Sequence, residues 1–84
     1  MEVKMEYLNH EEIAYCTIFN LKLSQDELEV YESCMKYVLE KCNEQEIYNL
    51  TGCKVEELEA WQKELKKLII THMAEENLTE KYRK

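Results

Sequence analysis

The chain has 84 residues with 18 acids against 11 bases, a net charge of −7, and 45% hydrophobic residues. That composition fits one folded domain rather than a disordered chain, and one that buries only roughly 60–65% of its unfolded surface. It disfavours generic nucleic-acid binding, because phosphate attracts basic surfaces, and no apolar run approaches the ~18 residues of a membrane span.

Residues 1–23 carry two competing patterns. Val3, Met5 and Tyr7 alternate with Lys4 and Glu6, and Tyr15, Thr17, Phe19, Leu21 and Leu23 alternate with Ile18, Asn20 and Lys22, which predicts strands at about 3–8 and 15–22. The turn is expected near Asn9–Glu12. Against this, Asn9-His10-Glu11-Glu12 could open a helix at His10 as a capping box. The β-branched and aromatic content of the following residues favours the ribbon. A lone two-stranded ribbon is marginal in water, so it requires a helix beneath it or a second chain beside it.

Ser24-Gln25-Asp26-Glu27 is a second capping box, and Leu28, Tyr31, Met35, Val38 and Cys42 follow at helical spacing with Leu39 widening the stripe. A helix over 25–42 is expected, with Glu32 and Lys36 as an i,i+4 pair on its surface. Asn43-Glu44-Gln45-Glu46 is the next capping box, opening a short helix over 44–51 with Ile47 and Leu50 as core contacts. Gly52, the only glycine, closes it, because glycine takes the left-handed conformation without steric cost. The last helix, 55–73, places Leu58, Trp61, Gln62, Leu65, Leu68, Ile69, His72 and Met73 on one side. Residues 74–84 read as a frayed tail with a basic end.

The fold expected is therefore a mainly α, small, compact helical domain with a corner at Gly52, preceded by a short N-terminal β-ribbon in the α+β variant. Ile47, Thr51, Gly52, Cys53, Val55, Leu58 and Trp61 make residues 44–63 resemble the helix-turn-helix of bacterial transcription regulators. Tyr48 departs from it, standing where that family carries a small residue; its ring must widen the helix crossing or point outward. In DNA-binding members the start of the second helix faces the major groove. Here that start carries Lys54, Glu56, Glu57 and Glu59, and three carboxylates repel phosphate. Their ordinary roles are to complement the helix N-terminus and, for Glu59, to pair with Lys63.

Catalysis needs a positioned base or nucleophile and a loop to hold substrate, and a chain with one glycine and no proline offers little loop. No enzyme, cofactor or metal site is expected. The four cysteines form no CxxC, and neither His10 nor His72 completes a metal-ligand spacing, so all six read as structural, the cysteines as small buried residues kept reduced. The expected role is a non-catalytic regulatory or inhibitory protein acting on another protein, with homo-oligomerisation favoured and nucleic acid disfavoured. By bulk properties alone it resembles inhibitors of the phage or mobile-element type, and its expected location is the cytoplasm or a host cytoplasm. Tyr48, Glu56, Glu57 and Glu59 are the candidate partner surface. The competing reading is a helix-turn-helix DNA binder that brings Lys63, Lys66, Lys67 and the C-terminal bases to phosphate.

Overall fold

In the computed structural model, which describes residues 5–83, a two-stranded antiparallel ribbon precedes three α-helices and two short 3-10 turns. The strands are β1 (Glu6–Ile13) and β2 (Cys16–Lys22), and the helices are α1 (Gln25–Lys41), α2 (Glu44–Thr51) and α3 (Val55–His72). The ribbon reading holds over the helix from His10. The expected strand start at residue 3 lies outside the described residues.

The expected turn at Asn9–Glu12 is corrected. Asn9 to Glu12 lie within β1, and Ile13 pairs with Cys16 across a two-residue loop, Ala14-Tyr15. Both loop residues have positive φ, 49° and 70°, the signature of the mirror-image turn whose twist matches that of a hairpin. Neither is Gly, Asn or Asp, so the usual turn signal is missing. Leu8 is the extra residue of a bulge between the Tyr7/Leu21 and Asn9/Asn20 pairs. The bulge brings Tyr7 onto the same face as His10, Phe19 and Leu21. There Tyr7, His10 and Phe19 form an aromatic cluster with centroids 5.8 to 6.5 Å apart.

The first two helices start where their caps direct. The Ser24 hydroxyl accepts from the Glu27 amide at 3.3 Å, and Glu27 accepts from the Ser24 amide at 3.1 Å. Asn43 and Glu46 exchange the equivalent bonds at 2.9 and 3.0 Å. Gly52 ends α2 with φ 73°; a Cβ there would meet nothing within 4 Å, so backbone conformation alone calls for glycine. Thr51 ties the corner, donating to the Ile47 carbonyl at 2.7 Å and accepting from the Cys53 amide at 3.0 Å.

The core is small. Ile47 and Leu58 are buried near the corner, while Ile69, Leu78 and Tyr82 form a buried cluster with Leu28 and Met73 packed against it. The frayed-tail expectation is therefore corrected: residues 75–77 and 80–82 turn back in 3-10 conformation, and Leu78 and Tyr82 fill the core. The most buried side chains of α1 are not its apolar stripe but Glu27, Glu29 and Glu32. Glu32, expected as the surface partner of Lys36, is 2% exposed.

Candidate protein-contact surfaces

Two kinds of polar arrangement occur here, one inside the body and one on it. Inside, the carboxylates of α1 hold the C-terminal segment. Glu32 accepts from the Tyr82 hydroxyl at 2.5 Å and from Gln62 at 2.7 Å. Glu29 accepts from the Thr79 hydroxyl at 2.7 Å and from Gln25 at 2.9 Å, and Gln25 also donates to the Asn77 carbonyl at 3.1 Å. Arg83 donates to the Leu78 and Glu76 carbonyls, closing the segment on itself. Burial, and then the Glu32 carboxylate, hold the Tyr82 phenol well above its ordinary ionisation range. These groups are mutually satisfied donors and acceptors, which makes them a clamp rather than a site.

On the surface, the expected partner residues separate into different roles. Tyr48, 57% exposed, points outward and lines a cleft of about 460 Å³ between α2 and the start of α3, with Glu44, Gln45, Lys54, Val55 and Glu56. Tyr48 and Glu56 are thus brought together. Glu57 instead accepts from the Lys54 amide at 3.1 Å as the cap of α3, and Glu59 pairs with Lys63 at 2.9 Å in an exposed i,i+4 bridge, an interaction of little energetic weight. Lys63, Lys66 and Lys67 line a shallow depression with Ile70 and Thr71.

The larger feature is the ribbon. Every residue of β1 and β2 is exposed, so neither face is covered by the helices. Tyr7, Leu8, Ile13, Ile18, Phe19 and Leu21 are all among the large exposed hydrophobics, with Phe19 at 60%. The strand alternation in the sequence singles out Tyr7, Phe19 and Leu21 but neither Leu8 nor Ile13, and nothing local says that both faces are bare. The cysteines are free, as expected of reduced thiols, but not buried: Cys16 and Cys34 are exposed, and Cys42 and Cys53 are half-buried.

No known family, curated protein or solved structure matches the chain. No described helix is long and apolar enough to cross a membrane.

Proposed function

We propose that the chain is a non-catalytic regulatory or inhibitory protein that works by contact with other protein. The observation that carries this reading is the ribbon: a hairpin with both faces and both edges open, rich in aromatic and aliphatic side chains. Contiguous exposed apolar surface of this kind marks interaction sites, and a free strand edge is a template for main-chain pairing. The outward Tyr48 beside Glu56 offers a second contact point, an aromatic anchor rimmed by acid. The acidic start of α3 repels phosphate.

The helix-turn-helix reading draws on a different observation, the grouped Lys63, Lys66 and Lys67. One experiment separates the two. The wild-type chain and a Tyr48→Ala/Glu56→Lys variant, chosen because neither residue caps a helix, are compared for capture of protein from the source lysate and for binding of arbitrary duplex DNA at low salt. The contact reading predicts a captured partner that the variant loses, and no salt-sensitive DNA binding. Capture unaffected by the variant removes Tyr48 and Glu56 from the surface. DNA binding that weakens steeply with salt would replace the contact reading by the regulator reading.

A further inference from the structure

We infer that the outer edge of β2 is the place where a second copy of this chain pairs, joining two ribbons into one four-stranded antiparallel sheet about a twofold axis at Phe19. This rests on the reading of the ribbon as a protein-contact element and names its occupant. The two edges of the ribbon are not equivalent. β1 carries Glu6, Glu11 and Glu12, whereas Cys16 to Leu21 of β2 contain no charged residue and Lys22 stands at the end. Two β1 edges brought together would oppose carboxylates, and charge on an edge is a known defence against pairing. The β2 edge has no such defence. In a chain of net charge −7, it is a neutral line along which two copies can meet.

The register follows from the ladder. Hydrogen-bonded and non-bonded pairs alternate along an antiparallel hairpin, starting from the bonded pair that closes a two-residue loop. With Ile13 opposite Cys16, the residues of β2 whose amide and carbonyl face outward are Thr17, Phe19 and Leu21. A twofold axis at Phe19 sets Phe19 against Phe19 of the other copy and Thr17 against its Leu21. It also runs the whole strand from Cys16 to Lys22 against itself. This register uses all the outward groups, about six main-chain hydrogen bonds, and any shift leaves some unpaired. It unites the Tyr7, His10 and Phe19 clusters of the two copies on one face. It also supplies the additional strands that a lone hairpin lacks.

The test is molar mass by light scattering over a concentration series for the wild type, Phe19→Lys and Glu11→Lys. Wild type and Glu11→Lys should approach twice the 10.2 kDa chain mass. Phe19→Lys, which opposes two ammonium groups on the axis, should weaken self-association by about a hundredfold or more. A wild type that stays at the chain mass, or a Phe19→Lys that still doubles it, overturns the proposal. An isotope-filtered nuclear Overhauser spectrum of mixed labelled and unlabelled wild type needs no variant. An inter-chain contact between the α-protons of Ile18 and Asn20 supports the register, and its absence from a dimer overturns it. A monomeric wild type would leave the contact reading itself standing on the capture experiment.

Discussion

At the scale of single residues, the least expected feature is that acids occupy the interior of α1. A buried carboxylate costs free energy unless its oxygens are hydrogen-bonded, and Glu32 meets that condition through Tyr82 and Gln62. Tyr82→Phe removes one donor from a buried charged acceptor and should destabilise the fold by about 1.5–3 kcal/mol, measured by urea unfolding; a change within error would mean that water replaces the bond at no cost. The same phenol sets an alkaline limit. An unfolded tyrosine ionises near 10.0, and the folded group ionises higher. The neutral, donating form is thus the one the fold favours. Its contribution is complete below about pH 10 and is lost as pH rises through and beyond that value. Stability of the wild type should therefore fall above pH 10, and Tyr82→Phe should flatten that fall. Equal slopes in the two proteins would assign the alkaline loss to other groups.

At the scale of elements, capping chemistry and periodicity made the helices legible. Ser24, Asn43 and Gly52 each act in the structure as their residue types demand, and the three helices begin and end within a residue of their expected bounds. Two elements were not legible for physical reasons. The hairpin turn uses Ala14 and Tyr15 in a conformation that asparagine and glycine adopt at less cost, so Asn9–Glu12, with its polar residues, looked like the better turn. The C-terminal segment has no periodicity because two 3-10 turns need none, and its anchors Leu78 and Tyr82 are single residues among polar ones. The candidate site divides similarly: the sequence allows an outward Tyr48 as one of two outcomes, while the capping role of Glu57 competes with its surface role. The turn carries a prediction. Ala14→Asn with Tyr15→Gly should relieve about 1–2 kcal/mol of backbone strain, read as slower exchange of the inward amides of Ile18 and Asn20 with the helical amides unchanged. No slowing would show that the loop is not the strained part of the ribbon.

At the scale of the whole molecule, size and shape agree with an incomplete surface. The Cα radius of gyration is 14.6 Å, against about 12 Å for a compact chain of this length, because the ribbon stands off a helical body with a small core. Such a chain gains apolar burial by association more readily than by itself, which connects the bare ribbon to the proposed role in protein contact. The most direct measurement is amide hydrogen exchange along the two outer edges of the ribbon in the wild-type protein. If the β2 edge is a contact edge occupied by a second copy, the outward amides of Thr17, Phe19 and Leu21 exchange slowly while those of His10 and Glu12 on the β1 edge exchange freely. Free exchange at both edges would show that no second copy occupies the ribbon, and would contradict the self-pairing at the centre of the account.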